Sequence, residues 1–143
     1  MTLRAPSAAS CDLADHLSAA ADRLFDVSEH FAVRDFPMEA RQAAVAGLEL
    51  AVRGRYIEMT GKVNGMASLP SYVQRLRAAR RLDRQTARRL LTILTAVDGV
   101  EPRMFEINAA VAALRQEREF DSLSPGRPRG VDEAARVYAG VAR

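Results

Sequence analysis

Apolar residues recur along the first part of the chain at the 3-4 spacing of one helix face: Leu13, Leu17, Ala20, Leu24, Val27 and Phe31. Asp12 stands where an N-cap belongs, so the spacing predicts a first helix over about residues 12–33. RDFP breaks the pattern, and Pro37 suits the first turn of a second helix, where its missing N–H has no helical partner. That helix runs to about Val63, with Val45, Leu48, Val52, Tyr56, Met59 and Val63 on one side. Gly47, Gly54 and Gly61 recur along it every seven residues. Each helical glycine costs about 1 kcal/mol relative to alanine. Either the spacing marks a face where another helix approaches closely, with a subunit contact as the candidate, or it is chance.

NGMASLP is turn chemistry, with Asn64-Gly65 suited to positive φ and Ser68 placed to cap a third helix two residues before Pro70. The third helix is predicted over about residues 69–97, and DGVEP ends it. A fourth follows from Pro102 to about residue 119, with Met104, Ile107, Val111 and Leu114 as its stripe. SPGRPRG then breaks any helix and leads to VDEAARVYAGVA, which forms one short amphipathic helix or stays mobile. Four amphipathic helices on short connections bury their stripes most simply as an all-α, antiparallel up-down four-helix bundle with a short C-terminal tail or helix. The expected organisation is a flexible N-terminus over 1–11, the bundle over 12–120, and a Pro/Gly-containing linker with a short C-terminal helix over 121–143.

Composition agrees with one folded domain: 143 residues, 48 % apolar, 27 % charged, only 6 % aromatic and no tryptophan. No apolar run approaches the ~18 residues needed to span a bilayer, and none near the start suits a signal peptide. A cytoplasmic chain without a membrane partner is expected. The lone Cys11 excludes an internal disulfide and a thiolate metal cluster within one chain. Its simplest reading is a spare thiol.

Charge distribution changes the picture more than the net +3 does. Lys62 is the only lysine among 21 basic residues, so the other twenty are arginines, the better residue for bidentate phosphate contacts. Residues 12–39 carry seven acidic and two basic side chains, a balance of −5; residues 71–91 carry seven basic and one acidic, a balance of +6. On a single helix Arg77, Arg81, Arg84 and Arg88 fall opposite the arc of Tyr72, Leu76, Ala79, Thr86, Leu90, Ile93, Leu94 and Val97. They form a stripe roughly 16 Å long at about 1.5 Å per residue, flanked by Arg75, Arg80 and Arg89. Such a stripe spans several phosphates of a nucleic acid or meets an acidic partner. The alternative is a solvated helix face, since a bundle must turn something polar outward. Asp83, at the edge of the buried arc, reads as a half-exposed acid. In the tail, Gly126-Arg127-Pro128 with Arg129 resembles part of a minor-groove AT-hook, with a flexible linker as the alternative.

Catalytic signatures are missing: there is no HExxH, no paired-carboxylate or nucleophile motif and no GxxxxGK, and the only histidines are His16 and His30. Arg23 and His30 match the R-x(4 to 6)-H spacing of HEPN ribonucleases, where the resemblance would make them an RNA-cleaving pair. With arginine so frequent, that spacing is expected about once by chance. No enzyme activity, cofactor or metal is therefore expected.

Taken in order, the apolar first helix ending at Phe36-Pro37, the long second helix through AVAGLELAVRGRYIEM, the segment RLRAARRLDRQTARRLL, and a last helix EPRMFEINAAVAAL are similar to a known family. It is the small four-helix-bundle family that includes Avd, the accessory protein of diversity-generating retroelements, with a branch encoded in intervening sequences of bacterial rRNA genes. The likeness runs from Leu13 to about Leu114. It implies a basic homo-oligomer, typically a five-membered barrel, that binds a reverse transcriptase and structured RNA, RNA more than DNA, without being a catalyst. The arginine face would then hold the RNA, and the face of Gly47, Gly54 and Gly61 would be the subunit contact. Bundles of this kind also serve as protein-only scaffolds or regulators, for which the apolar and acidic surface of the first helix would be the binding side.

Overall fold

The computed structural model describes residues 8–62, 68–96 and 101–123. Five helices occupy nearly all of them: α1 (Ala8–Val33), α2 (Pro37–Thr60), α3 (Leu69–Ala78), α4 (Arg84–Leu94) and α5 (Met104–Leu123). The chain is all-helical among the described residues, and no helix there is long and apolar enough to cross a membrane. The Asn64-Gly65 turn, the Asp98-Gly99 turn, Arg127, Arg129 and the C-terminal segment lie outside the described residues.

The first connection forms because α1 ends in a left-handed residue. Asp35 takes φ 65°, a conformation that its short polar side chain tolerates. The Phe36 N–H then reaches back to the Phe31 carbonyl at 2.9 Å, and the Asp35 N–H to the Ala32 carbonyl at 3.2 Å. Those two bonds cap the last carbonyls, and the Phe31 and Phe36 rings meet edge to face at 6.2 Å, the apolar contact that accompanies this kind of cap. Pro37 opens α2 as its sequence position predicts.

Small residues set how α1 and α2 pack. A Cβ placed on Gly47 would lie 2.5 Å from Cε1 of Phe25 and 3.2 Å from the Ala21 carbonyl. One on Gly54 would lie 3.3 Å from the Ala14 carbonyl and 3.4 Å from the Leu17 Cβ and Ser18 Oγ. Serine hydroxyls tie the two ends of the seam: Ser28 donates to the Ala40 carbonyl at 2.7 Å and Ser10 to the Gly61 carbonyl at 3.0 Å. The two helices are thus antiparallel, and the close approach that the glycine spacing implied is made within one chain.

This seam moves the buried line of α1. The sequence assigns burial to Leu13, Leu17, Ala20, Leu24, Val27 and Phe31, but the buried positions are Ser10, Ala14, Ala21, Phe25 and Ser28, while Val27 is 41 % exposed. Backbones this close admit only small side chains at most of the contact line, so the leucines are pushed to flank the seam. The fully buried Leu48 and Val52 and the nearly buried Tyr56 of α2 join the same core as Tyr72, Val73 and Leu76 of α3, Leu90 and Ile93 of α4, and Ile107 and Leu114 of α5. Being packed from several directions gives α2 the diffuse apolar pattern seen in its sequence. Arg41 near its start pairs with Glu101 just before α5, and Arg55 near its end pairs with Glu117, so α2 and α5 run the same way.

The predicted third helix is two helices. α3 stops at Ala78 and α4 starts at Arg84, with residues 79–83 turning between them. Arg80 adopts φ 59°, its N–H bonds the Arg77 carbonyl at 2.9 Å, and the Arg81 N–H bonds the Leu76 carbonyl at 2.8 Å. That is the same left-handed cap that ends α1, here on a residue with no local compensation for positive φ.

A candidate nucleic-acid interface

The turn between α3 and α4 is held by side chains from three directions. Asp83 begins α4 as its N-cap, accepting from the Thr86 N–H at 2.6 Å. It is therefore the start signal of a helix, not the half-exposed acid that a single long helix implied. The Thr86 N–H holds its carboxyl below the usual value of 3.8; desolvation opposes that, and the Thr86 hydroxyl and the Gln85 N–H add smaller bonds that lower it. Leu82 is buried beneath the turn. From α2, Arg55 donates to the Arg81 carbonyl at 2.9 Å and to Glu117 Oε2 at 3.4 Å, with only 12 % of its side chain exposed. Glu117 Oε1 in turn accepts from the Asp83 N–H at 3.4 Å. One largely covered arginine and one glutamate thus fix the turn between α2 and α5.

This framework separates the arginines of residues 75–89 into two kinds. Arg75 is engaged: it donates to the Tyr56 hydroxyl at 2.7 Å and lies 5.9 Å over that ring, which stacks on Tyr72 at 4.2 Å. Arg77 on α3, Arg80 at the turn, and Arg84 and Arg88 on α4 are exposed; Arg81 and Arg89 are half-buried. Among the described residues none of Arg77, Arg80, Arg84, Arg88 and Arg89 makes an ion pair. By contrast Arg41, Arg55 and Arg115 all do, Arg115 lying 3.9 to 4.0 Å from Asp22, Asp26 and Glu29 of α1 and 5.1 Å over the Phe25 ring. The straight stripe of Arg77, Arg81, Arg84 and Arg88 does not exist as one line on one helix, because the chain turns at 79–83. What exists is a set of exposed or half-buried arginines spread over two successive helices and the turn that joins them.

Comparison of the chain with protein-family models, curated proteins and solved structures finds no match. Gly47 and Gly54, the candidate subunit contact, are covered by α1, and Gly61 is the left-handed C-cap of α2 at φ 70°. Arg23 and His30 are both exposed on α1, and their side chains make no hydrogen bond or ion pair among the described residues. Two residues that matter escaped the sequence reading. Arg55 stands in line with Leu48, Val52 and Met59 at 3-4 spacing, a charged group at a core position, and that misfit was the available signal. Gln85 joins the outward set only once α4 is known to begin at Arg84.

Proposed function

We propose that this chain is a non-enzymatic nucleic-acid-binding accessory protein whose grip is the cluster of Arg77, Arg80, Arg84, Arg88 and Arg89. The observation that carries the reading is that these guanidinium groups have no acid of their own chain among the described residues, while Arg55 and Arg75 beside the turn are paired or stacked. Cations left unpaired on one surface favour a polyanion, since each phosphate neutralised releases condensed counterions. Along α1 the balance has the opposite sign: Asp12, Asp15, Asp26 and Glu29 are exposed there. The five helices are read here as an up-down four-helix bundle whose third member, α3 with α4, is broken.

Titration of a structured RNA and a matched DNA duplex across a salt series tests this. Binding is expected to weaken linearly in log–log form. Substituting Arg77, Arg80, Arg84 and Arg88 together by glutamine should remove most of it and shallow the slope by about 3 to 4. Binding left intact by the quadruple variant would refute the arginine cluster as the grip.

A protein partner has its own support. Val33 is 86 % exposed, Phe36 50 %, Met38 56 % and Phe105 64 %. The Arg41–Glu101 pair brings the approach to α5 beside the start of α2, so these side chains share the end of the molecule where α1 turns into α2. Apolar groups gathered there suit a protein contact. A reverse transcriptase is the partner that the family resemblance implies, and a protein-only interaction module is the second reading. Self-association in the cytoplasm belongs to the same proposal, on a surface other than Gly47 and Gly54.

A further inference from the structure

We infer that α3, the turn and α4 form a unit that reads duplex DNA, with α4 entering the major groove. The inference rests on the nucleic-acid reading above and narrows it to one kind of nucleic acid.

The break between the helices is the first reason. A single helix over 69–97 would lay its arginines along a line, which suits a backbone and nothing finer. Two short helices joined by a tight turn are the arrangement in which one helix crosses the phosphates while the next enters the groove. Here the turn is fixed by Leu82 below, by the Asp83 cap, and by Arg55 with Glu117, so α4 is presented in one orientation.

The outward face of α4 is the second. Arg84, Gln85, Arg88 and Thr92 are all exposed, within an arc of roughly 100° at about 100° per residue. Thr86, Ala87, Leu90 and Ile93 are buried on the other side. A face made only for phosphates needs only charge, yet Gln85 and Thr92 bring none. Arginine matches guanine O6 and N7, glutamine matches adenine N6 and N7, and threonine meets the thymine methyl, each through edges displayed in the major groove. Arg77 and Arg80 on one flank and Arg89 on the other are then the backbone contacts.

Unpaired bases are held by stacking on exposed aromatic rings. The one aromatic of α3 and α4, Tyr72, is buried and stacked on Tyr56. An A-form RNA duplex keeps its major groove too deep and narrow for side chains to read, whereas the B-DNA major groove, about 12 Å wide, admits a helix.

Selection of binders from a duplex DNA library with a randomised core, using the full chain, tests the inference. Recovery of a preferred sequence is expected. Gln85→Ala should weaken binding to that sequence roughly 10-fold or more while leaving other duplexes unchanged. Arg77→Gln should weaken all duplexes alike and lower the salt slope by about 1. Both positions are exposed, and unchanged helicity by circular dichroism verifies the fold. Equal binding to RNA and DNA duplexes with no preferred sequence would overturn groove reading and leave the nucleic-acid reading standing. A preferred sequence that Gln85→Ala, Arg84→Ala and Arg88→Ala all leave untouched would overturn α4 as the reader. No binding to either at low salt would overturn both.

Discussion

The α1–α2 seam and the α3–α4 turn solve the same problem, fixing one helix against the next, with opposite materials. The seam uses what side chains lack: Gly47, Gly54, Ala14, Ala21 and Ala44 let two long helices approach until backbone atoms are in contact range. The turn uses side chains that reach: Arg55, Glu117 and Asp83 satisfy backbone groups that the break in the helix leaves open. The first should respond to added volume and ignore pH and salt. The second should respond to charge and tolerate volume. Exposed cations sit beside the second kind, where backbone geometry is set by polar contacts and a guanidinium can face solvent without a core to disturb.

The largest effect is expected at the seam. Gly54→Leu should destabilise the fold by about 3 kcal/mol, because its Cβ already meets the Ala14 carbonyl at 3.3 Å and the rest of the side chain has no room. Denaturant unfolding would measure it, and a loss below 1 kcal/mol would show that α1 can step aside. Arg55→Ala comes next, with a loss of about 2 kcal/mol, since it strips the Arg81 carbonyl of its donor and leaves Glu117 without its half-buried partner. The same substitution should weaken nucleic-acid binding although Arg55 faces inward. Asp83→Ala should cost about 1 kcal/mol through the lost cap. Because folding depresses the Asp83 carboxyl, its contribution is full above the usual 3.8 and disappears as pH falls through the lower folded value. The gap between the parent and Asp83→Ala should therefore close in acid, and Gly54→Leu should show no such closing. The smallest effect is a gain: Arg80→Gly relieves the positive φ of 59° and should stabilise by up to about 1 kcal/mol while removing one phosphate contact. Thermal unfolding that falls instead would mean that the Arg80 side chain supports the turn.

The sequence pattern revealed α1, α2 and α5 through apolar spacing and the prolines at the start of α2 and before α5. It misplaced the start of α1: Asp12, expected as its N-cap, lies inside a helix that already includes Ala8. It hid the break at 79–83 for a specific reason. Leu76 and Leu90 are fourteen residues apart, close to four full turns, so the buried arcs of α3 and α4 coincide on one wheel although the chain turns between them. Arginine is also not a residue that announces a left-handed cap, and without a glycine at position 80 the turn carries no composition signal. The Asp83-to-Thr86 spacing was a start signal in plain view, overridden by the continuous wheel. In α1 the apolar period matches the helix but its phase differs by one residue, because the seam is lined by alanine and the leucines flank it. The arginine cluster was legible as charge. Its division into engaged and unpaired groups depends on Tyr56, Arg55 and Glu117, which come from other helices and leave no mark on the local sequence.

A repeat of seven has one more consequence. Gly47 and Gly54 present α1 with two small-residue positions about 10.5 Å apart, so the groove alone does not distinguish one sliding position from the next. Two hydroxyls and one pair of rings resolve the ambiguity: Ser10 at Gly61, Ser28 at Ala40, and Phe31 against Phe36 agree in only one alignment. The glycines act as the rail and the serines as two of the stops, and a chain with both serines replaced by alanine would keep its track with only the Phe31–Phe36 contact left to mark its address.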